Sequence, residues 1–192
     1  MREAIASAPD VETAPPVPGP PVKSAAAVLA AVFDDGGEAM VILTRRTEWL
    51  RSHSHQVAFP GGRCDEGEPP VDAALREAYE EIGLDPASVE VIGRLTRMAT
   101  LSNPEGAIHP FVGIVKGGRP AYDPNPDEVE RVFDVAVADL MEHGCYREEL
   151  WGVAETERPI YFFELDGETI WGATARMLVE LLALVTAAGH TP

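Results

Sequence analysis

The sequence predicts a mixed α/β fold, and three observations indicate it. Short apolar runs of strand length recur along the chain, two segments carry apolar residues at helical spacing, and clusters of glycine, proline and aspartate separate these segments. Strands interleaved with helices are typical of mixed α/β proteins. The 192 residues are enough for one domain, and a hydrophobic fraction of 45% is that of an ordinary globular protein. These values exclude disorder over the whole chain.

The N-terminal residues 1–22 are predicted to form a disordered or extended tail. Six prolines lie between Pro9 and Pro21, and the other residues of this stretch are mostly small or polar, with no periodicity. The pattern changes after Ser24, where the first long apolar run begins. The sequence therefore predicts a single domain over residues 23–190, preceded by the tail.

Six segments are predicted as β-strands. Residues 25–33 and 39–43 flank Asp34-Asp35-Gly36-Gly37, and this arrangement indicates a hairpin. The remaining four segments are apolar runs bounded by turn residues, and they cover residues 89–95, 108–115, 129–137 and 160–165.

Two segments are predicted as helices, residues 70–82 and 174–188. In the first, the apolar residues make one stripe at a period of 3.6; they are Val71, Ala74, Leu75, Ala78 and Ile82. Pro70 suits the first turn, and Gly83 followed by Leu84 predicts a left-handed cap at the end.

The charge balance favours some partners over others. The chain has 15 Lys and Arg against 32 Asp and Glu, a formal net charge of -17, so nonspecific nucleic-acid binding is disfavoured. Partners should be cations, or anions delivered with cations. No apolar stretch approaches the ~20 residues that span a bilayer, and the N-terminus lacks the order of a secretory signal. The sequence therefore predicts a cytoplasmic protein without a membrane partner, in which Cys64 and Cys145 are reduced thiols.

Three glutamates project from the first predicted helix. At 100° per residue, Glu77, Glu80 and Glu81 fall within an arc of ~100°, beside the apolar stripe. Such carboxylates repel each other unless a divalent cation joins them, and oxygen-only ligands select Mg²⁺ or Mn²⁺. On the helix alone, a solvated acidic face is the favoured explanation.

A wider pattern of fixed residues contains this helix. It runs Gly62, five residues, Glu68, seven residues, Arg76-Glu77, an apolar residue, any residue, Glu80-Glu81, any residue, Gly83 and an apolar residue. Seven residues at set spacing arise by chance with a probability on the order of 10⁻⁶. The pattern resembles the signature of the Nudix hydrolase family. The resemblance implies an α/β/α sandwich around a mixed β-sheet with a loop-helix-loop catalytic motif, and metal-dependent hydrolysis of a diphosphate that joins a nucleoside to another group.

The resemblance also implies roles for individual residues. The metal ligands would be Glu77, Glu80 and Glu81, with the backbone carbonyl of Gly61. Arg76 would orient the glutamates, and Glu68 would brace the loop before the helix. Gly62 would allow a close approach of the backbone at the loop, and Gly83 would end the helix. Some family members use a further carboxylate as base or extra ligand, and the candidates here are Glu105 and Glu128. The catalytic set is therefore Glu80, Glu81, Arg76, Glu128 and Glu105.

Upstream residues resemble one subfamily. Residues 42–46, 49–53 and 56–62 are similar to the motif of coenzyme A pyrophosphatases, which cut coenzyme A to 4'-phosphopantetheine and adenosine 3',5'-bisphosphate; residues 108–113 and 170–176 agree with it. The chain departs from that motif at Thr47, where the motif has Ser or Ala, and at His55, where it has Gly. The spacing between Gly62 and Gly83 also follows the general family form rather than the one-residue-longer form of many coenzyme A pyrophosphatases.

Several side chains upstream of the helix are candidates for binding substrate. Arginine forks suit phosphate oxygens, and the candidates are Arg45, Arg46, Arg51 and Arg63, although each is as well explained by pairing with surface carboxylates. Trp49 and Trp171 would stack on adenine or pack in the core. His53 and His55 are weak metal candidates.

Three functions remain open on the sequence. The first is hydrolysis of coenzyme A or acyl-coenzyme A, and the second is the same chemistry on ADP-ribose, dinucleotides or oxidised nucleoside triphosphates. The third is a ligand-binding module without catalysis, which is disfavoured because Glu77, Glu80 and Glu81 are all present. A homodimer is compatible with the resemblance, but no feature of the sequence indicates one.

Overall fold

The structure is a computed structural model that describes residues 25–48, 55–99, 106–153 and 157–188. The predicted tail, Trp49, Arg51, His53 and Glu105 lie outside these residues. Within them, the elements follow in this order: β1 (Ala25–Asp35), β2 (Glu38–Arg46), β3 (Val57–Ala58), β4 (Gly61–Arg63), α1 (Pro70–Ile82), a 3-10 turn (Pro86–Ser88), β5 (Val89–Arg94), β6 (Ala107–Val115), β7 (Val129–Ala136), α2 (Val137–Leu140), β8 (Tyr146–Trp151), β9 (Arg158–Leu165), β10 (Glu168–Trp171) and α3 (Gly172–Ala188).

The described strands form two sheets. The larger has seven strands in the order β3-β2-β1-β6-β5, with β4 also paired to β1 and β7 also paired to β2. Because β1 and β6 run parallel while the other pairs are antiparallel, the large sheet is mixed. The smaller sheet, β10-β9-β8, is antiparallel and is called the small sheet below.

The two faces of the large sheet bury separate cores. Leu29, Phe33 and Ile42 face helix α1, whereas the alternate strand residues Val32 and Leu43 face α3 and the small sheet. This alternation follows from the period of two along a strand. The predicted α/β/α arrangement around a mixed sheet is therefore confirmed.

Both predicted helices and all six predicted strands are confirmed, with small changes at the ends. Helix α1 has the predicted bounds, α3 begins two residues earlier than predicted, and Val137 starts α2 instead of ending β7. The sequence missed β3, β4, β8, β10 and α2. Four of these are only two to four residues long, and β8 is exposed along nearly its whole length, so no period-two pattern marks it.

Two further features of the described residues bear on the sequence predictions. None of their helices combines the length and apolar character needed to cross a membrane. Cys64 and Cys145 are free thiols.

Candidate active site

Residues 61–83, called the box below, form a strand, a loop and helix α1 that pack together against β1. Gly61 has a φ of +151°, and a Cβ atom at this position would lie 2.3 Å from the carbonyl oxygen of Ala27. Only glycine therefore lets the box entrance approach β1 so closely. The helix ends at Gly83, which has a left-handed φ of 71° and donates its N–H to the carbonyl of Tyr79 at 2.8 Å.

Arg76 connects the carboxylates of the box loop to those of the helix. Its Nε and Nη2 donate to the two carboxylate oxygens of Glu68 at 2.9 and 3.0 Å, and Nη2 also donates to the carbonyl of Arg63 at 3.0 Å. Its Nη1 donates to Glu77 at 3.0 Å and to Glu80 at 2.9 Å. The hydrogen bonds to Arg76 lower the pKa of Glu68 to about 2. A bidentate contact between a guanidinium group and a carboxylate fixes the orientation of both side chains as well as pairing their charges. Arg76 therefore fixes the position of helix α1 relative to the loop that carries Glu68.

Glu81 is the buried carboxylate of the box, with a side chain only 2% exposed. Its Oε2 accepts the N–H of Gly61 at 3.0 Å, and its Oε1 accepts Nη1 of Arg46 at 3.0 Å. Burial raises the pKa of Glu81 to about 7; the contacts with Gly61 and Arg46 oppose the rise, and the charge of Glu128 adds to it. The Glu81 side chain thus connects three elements by hydrogen bonds: helix α1, which carries it, Arg46 of β2, and Gly61 at the start of the box.

Glu77 lies against the backbone of Gly62. A Cβ atom at position 62 would be 2.3 Å from Oε2 of Glu77, so the absence of a side chain there makes the space that this carboxylate fills. Burial raises the pKa of Glu77, Arg76 opposes the rise, and the charges of Glu80 and Glu128 add to it. Glu80, by contrast, is 55% exposed on the open side of the helix.

The donor chemistry of the box suits a hard divalent cation. The side chains offer carboxylate oxygens, which Mg²⁺ and Mn²⁺ prefer, and a cation would relieve the repulsion among Glu77, Glu80 and Glu81. In the described part of the chain, no three acidic, His or Cys side chains converge on one point. Arg76 instead engages Glu77 and Glu80, and Glu81 turns towards Gly61. The oxygen donors of the box therefore suit a divalent metal ion. Arg76 and Arg46 hold the carboxylates in the positions described.

Of the two candidates for a further carboxylate, Glu128 is near the box and Glu105 lies outside the described residues. Glu128 immediately precedes β7, and its carbonyl accepts the N–H of Thr47 at 3.0 Å. Its charge is close enough to raise the pKa of both Glu77 and Glu81. The structure therefore brings Glu128 together with the glutamates of helix α1.

The candidate arginines are held by carboxylates. Arg46 pairs with Glu81, and Arg45 pairs with Glu168 at 3.1 Å, with its Nε 3.4 Å from Glu130. Arg63 is exposed at the end of β4 within the box, where its carbonyl accepts a hydrogen bond from Arg76. Arg51 lies outside the described residues. The alternative that arginines pair with the surplus carboxylates therefore holds for Arg45 and Arg46.

The two departures from the subfamily motif have local explanations. Thr47 is buried, and its hydroxyl donates to the carbonyl of Asp127 at 3.2 Å, which ties the end of β2 to the segment before β7. His55 has a φ of 58°, a left-handed conformation that glycine adopts without cost. Its ring nitrogens lie 3.8 Å from Glu48 and 3.5 Å from Glu130. The motif glycine thus corresponds to a backbone conformation that the histidine keeps.

Sequence reasoning missed an aromatic cluster on the small sheet. The rings of Trp151, Phe162 and Trp171 lie in contact, with centroids 6.1 to 6.4 Å apart. The sequence offers Trp171 as a candidate for adenine stacking, but it does not indicate that Trp151 and Phe162 lie beside it. The only signal in the sequence is the run of three consecutive aromatic residues in β9, 161–163, which does not show what lies across from them in β8 and β10.

Comparisons with known proteins identify the family. The model of the NUDIX domain matches residues 23–156. The chain is 38% identical over 168 residues to Nudix hydrolase 22, chloroplastic, of Arabidopsis thaliana, covering 83% of this chain and 55% of that protein. It is 36% identical over 143 residues to the uncharacterized Nudix hydrolase NudL of Escherichia fergusonii, covering 73% of this chain and 72% of that protein. The chain therefore spans about half the length of the plant relative and more of the bacterial one.

Solved structures agree on the fold. A MutT/nudix family protein from Enterococcus faecalis superposes with a TM-score of 0.58 at 18% identity, over 94% of this chain and 68% of that one. The Nudix hydrolase RenU from M. smegmatis gives a TM-score of 0.52 at 24% identity, over 60% of this chain and 72% of that one. With the family model, the relatives and the box geometry in agreement, the chain belongs to the Nudix hydrolase family.

Proposed function

We propose that this protein uses Mg²⁺ or Mn²⁺ to hydrolyse the diphosphate linkage of coenzyme A or acyl-coenzyme A, releasing 4'-phosphopantetheine and adenosine 3',5'-bisphosphate. The observation that carries the proposal is the pair of contacts made by Glu81. Arg46 belongs to residues 42–46 of the upstream motif and Gly61 to residues 56–62. Both donate hydrogen bonds to this carboxylate of the box. Two residues from the segments that resemble the coenzyme A subfamily therefore contact a glutamate of the box, which supports the proposal.

In the proposed mechanism, some residues hold the cation and others orient the residues that hold it. Glu77, Glu80 and Glu81 would hold the cation, with the backbone carbonyl of Gly61. When bound, such a cation neutralises phosphate oxygens and lowers the pKa of a water molecule. Arg76 orients Glu77 and Glu80 through its Nη1.

Two further residues have roles in the proposal. Glu128 would accept the proton of the attacking water at its carboxylate, because it lies near the helix glutamates yet is not one of the three. Arg63 is exposed next to the loop, and its guanidinium would contact a phosphate oxygen of the substrate. The names of the plant and bacterial relatives support hydrolase activity and state no substrate.

A substrate panel tests the proposal. Purified full-length protein with Mg²⁺ or Mn²⁺ is given coenzyme A, acetyl-coenzyme A, ADP-ribose, NADH, a diadenosine polyphosphate and 8-oxo-dGTP, and products are separated by chromatography. We expect adenosine 3',5'-bisphosphate from coenzyme A to appear fastest. Faster cleavage of another diphosphate would overturn the coenzyme A assignment and keep the hydrolase. No cleavage with either metal would overturn both.

A further inference from the structure

The backbone of Glu128 is hydrogen-bonded at both of its polar groups. Its N–H donates to the carbonyl of Asn125 at 3.1 Å, and its carbonyl accepts the N–H of Thr47 at 3.0 Å. The next residue, Val129, donates its N–H to the same carbonyl of Asn125 at 2.8 Å, and its side chain is buried in the core beneath helix α1. Backbone that is bonded and followed by a buried residue moves little. The structure therefore fixes the point from which the carboxylate of Glu128 extends.

A β-bulge places Val129 in that core. Along β2 and β7, Arg45 pairs with Arg131, whereas the next residue of β2, Arg46, pairs with Val129. Glu130 is therefore an extra residue between the two pairs. With regular pairing, Val129 would share a face with Arg131, on the other side of the sheet. Bulges are common beside functional sites, where they redirect side chains. This bulge anchors β7 on the face that carries helix α1.

The segment before β7 is also bonded to the end of helix α1. The N–H of Asn125 donates to the carbonyl of Glu81 at 2.9 Å, and the N–H of Asp123 donates to the carbonyl of Ile82 at 3.0 Å. The last carbonyls of a helix have no partner within it, and this segment supplies one to each of these two. The Oδ1 of Asn125 accepts the N–H of Asp127 at 3.1 Å, which stabilises the turn that follows.

These contacts form a closed ring through the candidate active site. Arg46 donates to the carboxylate of Glu81 at 3.0 Å, and the next residue, Thr47, donates its N–H to the carbonyl of Glu128. Asn125 joins Glu128 back to Glu81, because it accepts from the first and donates to the second. The end of β2 therefore contacts both the carboxylate of Glu81 and the backbone of Glu128.

The ring holds together groups that repel each other. The charge of Glu128 raises the pKa of both Glu77 and Glu81, which shows that the three carboxylates lie close to one another. Repulsion among them favours movement of the segment before β7 away from helix α1. The hydrogen bonds made by Thr47 and Asn125 oppose that movement.

We propose that Thr47 and Asn125 are positioning residues, which hold the carboxylate of Glu128 where it accepts the proton of the attacking water; the inference rests on the proposed function. Both side chains bond to the backbone of Asp127, the residue before Glu128: the hydroxyl of Thr47 donates to its carbonyl at 3.2 Å, and Asn125 accepts its N–H. A displacement of about 1 Å of a reacting group can cost about a hundredfold in rate. Loss of either side chain should therefore lower kcat and leave KM nearly unchanged.

Five full-length proteins test the proposal: wild type, Thr47→Val, Thr47→Ser, Asn125→Ala and Thr174→Val. Valine has nearly the shape of threonine and lacks its hydroxyl, whereas serine keeps the hydroxyl. Thr174→Val is the matched control, because Thr174 is also buried and donates its hydroxyl to a backbone carbonyl, that of Val57, at 3.0 Å. Kinetics are measured with the diphosphate that the wild type cuts fastest.

We expect kcat to fall about tenfold in Thr47→Val and in Asn125→Ala, and to stay close to the wild-type value in Thr47→Ser and Thr174→Val. Urea titration of the two valine variants should show similar losses of stability, since each loses one buried hydroxyl bond. A fall in kcat that occurs in Thr47→Val and not in Thr174→Val then has a cause other than weaker folding. An equal fall in both would overturn the inference.

A double-mutant cycle shows whether Thr47 acts through Glu128. Thr47→Val is introduced into Glu128→Gln, and kcat is compared with that of Glu128→Gln alone. If the hydroxyl of Thr47 positions the carboxylate, its removal should change kcat by less than about twofold once that carboxylate is gone. The same tenfold fall in both backgrounds would indicate a general structural role and would overturn the inference.

The outcomes separate this inference from the proposed function. If the wild type cuts a diphosphate and either Glu128→Gln or Thr47→Val is as fast, the positioning role is wrong and the hydrolase stands. If a diphosphate other than coenzyme A is cut fastest and the variants follow the expected pattern with it, the coenzyme A assignment fails and the positioning role stands. If no diphosphate is cut with Mg²⁺ or Mn²⁺, both fail.

Discussion

A buried glutamate lies on each side of β2, and the two sides differ in how completely arginines neutralise it. Consecutive arginines point to opposite faces of the strand, and each binds a buried glutamate: Arg46 binds Glu81 at 3.0 Å, and Arg45 binds Glu168 at 3.1 Å. Glu168 also receives Arg131 at 3.0 Å. Glu81 has no second arginine among the described residues and receives only a backbone N–H beside Arg46.

The difference lies in the balance of charge. On the small-sheet side, two guanidinium groups contact one buried carboxylate, so the protein itself neutralises the charge of Glu168. On the box side, burial and the charge of Glu128 raise the pKa of Glu81 to about 7, because one arginine does not offset them. A buried site with surplus negative charge attracts cations, whereas a neutralised one serves structure.

The largest effect is expected from Glu80→Gln. The substitution removes one negative charge from the box but keeps the shape of a side chain that is 55% exposed. We expect turnover to fall by about a hundredfold or more, because a carboxylate proposed to hold the cation is lost. Steady-state kinetics at saturating Mg²⁺ measure this effect.

The fold should tolerate that change. Exposed ion pairs such as the one between Arg76 and Glu80 typically contribute less than about 1 kcal/mol. Thermal unfolding followed by circular dichroism should therefore be nearly unchanged. Wild-type turnover in the variant would show that Glu80 is not a metal ligand.

Glycine substitutions at the box should separate stability from activity. In Gly61→Ala, the added Cβ meets the backbone of Ala27 at 2.3 Å at a φ of +151°, and we expect a loss of about 3 kcal/mol in the free energy of unfolding. Gly67→Ala is the control: it also has a positive φ, of 80°, but nothing lies within 4 Å, so about 1 kcal/mol is expected. Urea titration measures both.

Gly62→Ala should act differently, because its Cβ would meet the end of the Glu77 side chain at 2.3 Å and not the backbone. A flexible side chain moves away at small cost, so we expect stability close to wild type. The displaced carboxylate should lower turnover by about tenfold. If Gly62→Ala is as unstable as Gly61→Ala, the assigned difference between the two glycines is wrong.

Much of the box could be predicted from the sequence because a local helix determines it. The spacing of Glu77, Glu80 and Glu81 fixes their side of α1, and Gly83 fixes where the helix ends. What the spacing did not predict is the direction of each side chain. Glu81 turns inward to Gly61 and Arg46, because the strands that pack on α1 supply these partners from far along the chain.

The small sheet could not be predicted to the same extent. β8 is an exposed edge strand with three consecutive charged residues at 147–149, so no apolar period of two marks it. The aromatic cluster of the small sheet needs Trp151, Phe162 and Trp171 from three different strands. Cross-strand register, which local pattern does not determine, brings these rings together.

The two arginines of β2 provide a direct comparison. In Arg46→Met, the buried Glu81 keeps only the N–H of Gly61, so we expect a loss of about 2 kcal/mol in the free energy of unfolding. In Arg45→Met, Glu168 keeps Arg131 at 3.0 Å, and the loss should be about 1 kcal/mol or less. Both changes remove one positive charge and keep a long apolar stem, so each is the control for the other. A larger loss in Arg45→Met would reverse the assigned balance of charge on the two sides.

The smallest expected effect is the stabilisation of the wild-type protein by Mg²⁺ itself. A cation that binds the folded box and not the unfolded chain adds to the free energy of unfolding. Each kcal/mol added in this way should raise the midpoint of thermal unfolding by about 2 to 4 °C. Ca²⁺-free and Mg²⁺-free protein prepared with a chelator is compared with protein in millimolar Mg²⁺ by calorimetry. Glu80→Gln should lose most of the rise, whereas Glu66→Gln, which removes an equal charge from an exposed position in the box loop, should keep it. An equal rise in both variants would mean that Mg²⁺ acts on the overall charge of -17 and not at the glutamates of helix α1.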